Sequence, residues 1–249
     1  QYFPTNKWQN EFSIASKLGF CFIEYFGERI KNENNPIWSK RGLRKINNLV
    51  KKNKLKNYIF FDDFFIKTNL LKYSELDNYF DNLVNNLSSI GIKVYVLALF
   101  EKSLIKQSNF NEYATKLRKI SKILYSKKIK LTLETNLSPH LIKKLFAKVK
   151  SKNIFLVYDT GNRLKNKKLQ YKEILELKNT ITHIHLKDKN LKGENVVFGT
   201  GNVDFKSIFR ALKMIDYKGK LVFETNRGSD PLKTMINNKK LVLNFLDNI

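Results

Sequence analysis

Apolar residues fall in short runs of strand length, each closed by a polar residue and followed by a longer amphipathic stretch. KLTLETN, IFLVYDTGN, ITHIHLKD and KLVFETN read as buried strands. In RKINNLVKKNKLK, KLRKISKILYSKK and LIKKLFAKVKSK the apolar positions recur at helical spacing, with lysines between them. In chain order the pattern predicts a helix from Asn10 to Leu18 closed by Gly19, a strand from Phe20 to Tyr25 and a helix from Gly42 to Lys52. A strand from Asn57 to Phe65, a helix from Glu75 to Ile90 stopped by Gly91 and a strand from Lys93 to Phe100 come next. A helix from Asn111 to Ser126 leads to the Glu134 strand, a helix opened by Ser138-Pro139 to the Asp159 strand, and a helix from Lys172 to Lys178 to the His185 strand. The last elements are a helix from Phe205 to Ile215 capped by Asp204, the Glu224 strand, and a helix from Pro231 to Asp247.

Four of these strands end in side chains suited to metal binding or proton transfer: Glu134, Asp159, His185 and Glu224, separated by 25, 26 and 39 residues. Strand-plus-helix units repeat at about that interval in a (β/α)8 barrel of ~250 residues. Side chains two apart share a face. Glu134 therefore points with Thr132, Asp159 with Val157, His185 with His183 and Glu224 with Val222, toward the barrel interior. Three acids gathered at one rim repel one another, and a divalent cation resolves that conflict. Only seven strands are encoded, and QYFPTNKWQNEF precedes the first of them. The expectation is a barrel lacking its first strand, a fragment or processed chain, with Gln1 to Pro4 partly plugging the gap.

Composition narrows this picture. A chain of 249 residues that is 42% hydrophobic can bury a full core, and 1–249 reads as a single domain. Every apolar run is strand-sized, so no membrane span is expected. The one cysteine, Cys21, excludes a disulfide framework and is expected to be buried beside Phe22 and Ile23, with the cytoplasm as default compartment. The net charge of +25 invites a nucleic-acid reading. Its lysines are spread over nearly every predicted helix, which describes a solvated outer ring rather than one basic face, so specific nucleic-acid binding is not expected. YIFFDDFF at Tyr58 to Phe65 is read as core on a buried strand.

The chain resembles the xylose-isomerase-like (β/α)8 superfamily, in its sugar or sugar-phosphate isomerase and epimerase branch. The motifs carrying the likeness are NEFxxAxxLGFxxIEY at Asn10 to Tyr25, LETN at Leu133 to Asn136, DTGN at Asp159 to Asn162, HIHLKD at His183 to Asp188, FGTGNVDF at Phe198 to Phe205 and FETN at Phe223 to Asn226. The resemblance implies one divalent metal ion (Mg, Mn, Co or Zn) on Glu134, Asp159, His185 and Glu224. It also implies a small ketose or ketose phosphate as substrate, with Glu134 and Glu224 moving protons through an enediolate, and it leaves homo-oligomerisation open. Glu24 at the barrel mouth and Asn162 are candidate substrate contacts. Lys187, inward by parity with His185, and Gly199 and Gly201 of the FGTG turn are expected to hold a phosphate or carboxylate through charge and exposed amides. His183 lies one layer deeper, and His140 at a helix start is expected at the surface.

The chain departs from the family at the opening glycine-arginine segment, which nothing here matches. Asn162 and Leu191 also stand where ketohexose epimerases often carry histidine and arginine. Two other readings belong to the same fold: an apurinic-endonuclease-like phosphodiesterase, which needs more histidines than His140, His183 and His185, and a catalytically silent sugar-binding barrel. Lyase or dehydratase chemistry through the same enolate is a further variant.

Overall fold

Strands form where the sequence concentrates Val, Ile, Tyr, Phe and Leu, because these side chains pack well on a pleated, buried surface. The computed structural model describes residues 6–164 and 167–248. Two compact units divide it, Gln1–Phe155 and Leu156–Ile249.

In the first unit, β1 (Phe22–Gly27), β2 (Lys56–Asp62), β3 (Val94–Ala98) and β4 (Lys130–Glu134) pair in that order, all parallel. The central β3 is buried throughout, whereas the edge strand β1 is half-buried over most of its length. Ala98 lies in register with Glu134 and Val96 with Thr132. Helices Asn10–Lys17, Lys40–Lys52, Leu76–Ser89, Phe110–Ser126 and Pro139–Val149 connect and flank these strands. Two of them are bounded by clear local chemistry. Ser39 caps its helix by accepting from the Gly42 amide. Pro139 opens another at the first turn, and Lys150 in the left-handed region closes it.

Two expectations change here. The strand in YIFFDDFF stops at Asp62, because Asp62 Oδ1 accepts from the Phe64 amide at 3.0 Å and a short helix, Phe64–Lys67, begins at once. Cys21 is exposed, not buried. It sits just before β1, and the buried aromatic on that side comes from the preceding helix, at Phe12.

In the second unit, β5 (Ile154–Asp159, from Leu156 onward), β6 (Ile181–Leu186) and β9 (Lys220–Phe223) pair in parallel. A two-residue antiparallel ribbon, β7 (Asp188–Lys189) with β8 (Asn195–Val196), intervenes in the chain. Helices Lys167–Leu177, Phe205–Met214 and Pro231–Asp247 complete the unit. Its core contains Tyr158, Ile184 and Leu186 from the strands with Ile174, Phe205, Ile208 and Phe209 from the helices. These strand residues alternate with Asp159, His183 and His185, so the helix-facing and site-facing sets separate by the strand period of two. Asp204 caps Phe205–Met214 through the Ser207 amide at 3.0 Å, and Asp230 caps the last helix through the Lys233 amide at 3.0 Å. Residues 1–4, expected to plug a strand gap, lie outside the described residues.

Candidate metal centre

Register brings the site together. Asp159 on β5 lies beside His185 on β6, and His185 lies beside Val222 on β9. Glu224 follows that strand directly and donates its amide to the Leu186 carbonyl at 3.1 Å. Asp159, His185 and Glu224 each present a ligand atom within 4.8 Å of the others. Asp159 and His185 are almost wholly shielded, and the Glu224 side chain is 9% exposed.

The contacts are charged and crowded. His185 Nδ1 stands 2.7 Å from Glu224 Oε2. Lys187 Nζ lies 2.9 Å from Asp159 Oδ2 and also contacts Glu224 Oε1. Asp159 Oδ2 and Glu224 Oε2 are buried without a hydrogen bond of acceptable geometry, so what they meet is charge at close range. Burial pushes the Glu224 carboxyl upward, but His185 and Lys187 at close range outweigh it and hold the group below the usual carboxylate range. Asp159 Oδ1 is occupied differently, accepting from the Asn162 amide at 2.6 Å, which fixes the carboxylate at the head of the DTGN turn.

His183 supports His185 from one layer below. The two Nε2 atoms are 3.2 Å apart, and His183 Nδ1 is 2.9 Å from Thr182 Oγ1, which reaches the Leu156 carbonyl at 3.3 Å. If Thr182 donates to that carbonyl, His183 Nδ1 donates to Thr182 and His185 Nε2 donates to His183, so it is His185 Nδ1 that faces the carboxylates and would be the atom offered to a metal. Two carboxylates, an imidazole and buried oxygens lacking hydrogen bonds make a donor set that fits a divalent cation.

The other expected residues are distributed as follows. Glu134 ends β4, buried, its carbonyl accepting from the Leu99 amide at 3.0 Å. Glu24 is half-buried in the middle of β1, next to a register shift between Ile23 and Glu24. His140 is exposed, as expected. Gly199 and Gly201 depart from expectation. Their amides donate inward to Asp188 Oδ2 at 3.0 and 2.8 Å, and the Val203 amide donates to Asp188 Oδ1 at 3.2 Å. The FGTG turn is thus wrapped on a buried carboxylate and does not offer these amides to an anion. Gly201 is required there, since a Cβ would stand 2.3 Å from Asp188 Oδ1. Sequence reasoning missed Asp188; the available signal was an acid at the end of HIHLKD, 11 residues before the first glycine of the FGTG turn. It missed Thr160 as well, whose hydroxyl clamps the backbone of Lys187.

The chain belongs to the family of xylose isomerase-like TIM barrels, whose model it matches over residues 12–243. An inosose dehydratase of Clostridium tetani (strain Massachusetts / E88) is 24% identical over 168 residues, covering 57% of this chain and 56% of that protein. An L-ribulose 3-epimerase of Methylomonas sp. (strain DH-1) is 37% identical over 73 residues, 29% of this chain and 24% of the relative. The chain therefore matches about half and about a quarter of the length of these curated relatives. The crystal structure of a D-allulose 3-epimerase from Methylomonas sp. has the same fold, with a TM-score of 0.79 at 17% identity over 96% of this chain and 91% of that one. These relatives are sugar-modifying enzymes. Among the described residues no helix is long and apolar enough to cross a membrane.

Proposed function

We propose that this chain is a metal-dependent isomerase or epimerase of a small ketose or ketose phosphate. The observation that carries the proposal is the convergence of Asp159, His185 and Glu224, with carboxylate oxygens buried and lacking hydrogen bonds. Glu134 is assigned as the fourth ligand, on its burial at a strand end and its place in the series of strand-end residues. A bound Mg, Mn, Co or Zn ion would polarise a ketone and its neighbouring hydroxyl, making the adjacent carbon more acidic.

The residues of the chain then move the proton. Glu134 and Glu224 serve as the acid and base, one removing the proton next to the carbonyl and the other returning one to the opposite face of the enediolate. Burial keeps water from competing for that proton. Glu24 and the Asn162 side chain are assigned to substrate hydroxyls. Lys187 pairs with Asp159 and Glu224 in the structure, so its charge serves those carboxylates here. The site lies within a family whose relatives modify sugars, which supports a sugar over a nucleic-acid substrate.

A second reading has its own support. The inosose dehydratase match covers more of the chain than the epimerase match, and loss of water can follow the same proton abstraction. Incubating the metal-loaded protein with a panel of ketoses, ketose phosphates and inososes in deuterated water separates the two. Epimerisation gives product of unchanged mass apart from deuterium at the inverted carbon, and dehydration gives product lighter by one water. Product inverted without solvent deuterium would rule out the two-carboxylate mechanism.

A further inference from the structure

Lys187 is built into the site more firmly than a surface lysine would be. Its residue is only 6% exposed. Its backbone amide donates to Thr160 Oγ1 at 2.9 Å, and the Thr160 hydroxyl approaches its carbonyl at 2.6 Å. The aliphatic stem crosses Gly161, where a Cβ would come within 2.7 Å of Lys187 Cγ. Glycine at this position leaves a channel for the stem, and the ammonium emerges at Asp159 Oδ2 and Glu224 Oε1. Three consecutive residues of the DTGN turn thus contribute to one arrangement: Asp159 as target, Thr160 as clamp and Gly161 as clearance.

The same two carboxylates are assigned above to the metal. A divalent ion binds carboxylate oxygen at about 2.0–2.2 Å. An ammonium on those oxygens would then lie within ~4 Å of a dication, and the repulsion between them is weakly screened at a buried position. The two cations therefore compete for the same carboxylate oxygens. We propose that Lys187 is an internal counter-cation that competes with the divalent metal for Asp159 and Glu224, so that metal entry requires the ammonium to swing out. The proposal rests on the metal-site reading and adds to it a residue that sets metal affinity. Lys187 holds the two acids neutralised when the metal is away, and its displacement lowers the affinity for the ion.

Two measurements on the full chain test this, both after chelator treatment. In the first, Mn²⁺ is titrated calorimetrically into the parent, Lys187→Met and His185→Ala proteins. Methionine keeps the apolar stem and removes the charge, so Lys187→Met should bind Mn²⁺ about tenfold more tightly than the parent, within the range expected for coupled ligands. In the second, the unsubstituted protein is treated with an amine-acetylating reagent and Lys187 is followed by peptide mass spectrometry. Lys187 should be protected without metal and labelled several-fold faster at saturating Mn²⁺. This second measurement decides the matter if Lys187→Met does not fold. Equal or weaker Mn²⁺ binding by Lys187→Met, or labelling that does not rise with Mn²⁺, overturns the competition. In that case loss of binding in His185→Ala would leave the metal site itself standing. Absence of Mn²⁺ binding in both the parent and Lys187→Met overturns the competition and the metal-site reading together.

Discussion

Replacing Asp62 by asparagine should abolish a pH-dependent cost to folding in the first unit. Asp62 closes β2, fully buried. One carboxylate oxygen accepts from the Tyr79 hydroxyl at 2.8 Å and from the Tyr95 hydroxyl, the other from the Phe64 amide at 3.0 Å. Burial pushes the carboxyl up from 3.8 to about 6 against the pull of the Tyr95, Phe64 and Tyr79 hydrogen bonds, and the neighbouring Asp63 adds to the rise. The folded chain therefore holds this proton more tightly than the unfolded chain. Below pH 3.8 both states are protonated and the group is neutral to stability; from there to about pH 6 the unfolded state ionises first, so stability falls as pH rises. At ~1.36 kcal/mol per pKa unit, the accumulated loss is about 3 kcal/mol. Urea unfolding followed by circular dichroism across that range, on parent and Asp62→Asn, isolates it. Asparagine must donate where the carboxylate accepted, which shifts stability by an amount independent of pH. The difference between the proteins should change by about 3 kcal/mol in favour of the variant as pH rises. Parallel pH profiles would refute the assignment of a buried, proton-retaining Asp62.

Other perturbations test the second unit. Asp188→Ala leaves the amides of Gly199, Gly201 and Val203 without their acceptor; the Val203 donor is buried, at about 1–3 kcal/mol for a buried donor left unsatisfied, so the thermal midpoint should fall by several degrees. Calorimetry showing a midpoint within a degree or so of the parent would contradict that role. Glu224→Gln should reduce turnover by about 10²–10⁴-fold, as loss of a positioned acid or base does, while leaving the fold intact by circular dichroism. Retention of parental turnover would remove Glu224 from the proposed chemistry.

The strand-end residues were legible in the sequence because a period of two on apolar runs leaves no freedom about which face Asp159, His185 and Glu224 occupy. The helix Pro231–Asp247 was equally legible, since Asp230 and Pro231 mark its start by local chemistry. What stayed hidden depended on distant partners. Asp188 reads as one more charged residue until the turn 11 to 15 residues later folds back onto it. The β7–β8 ribbon is too short to show alternation. Lys187 was placed on the correct face by parity, but its reach to Asp159 and its clamp by Thr160 depend on the pairing of β5 with β6, which no local pattern encodes. In YIFFDDFF the aromatic residues continue past the strand end, and only the Asp62 to Phe64 bond reveals where extended backbone gives way to helix.

The metal centre itself is tested most directly by divalent-ion stoichiometry, measured by elemental analysis on the purified chain after loading and desalting, and again on His185→Ala and Asp159→Asn. The account predicts a single ion per chain in the parent and its loss in both variants. Full stoichiometry in both variants, or no retained ion in either the parent or Lys187→Met, would contradict it: the first by removing Asp159 and His185 from the ligand set, the second by showing that these residues do not form a working site.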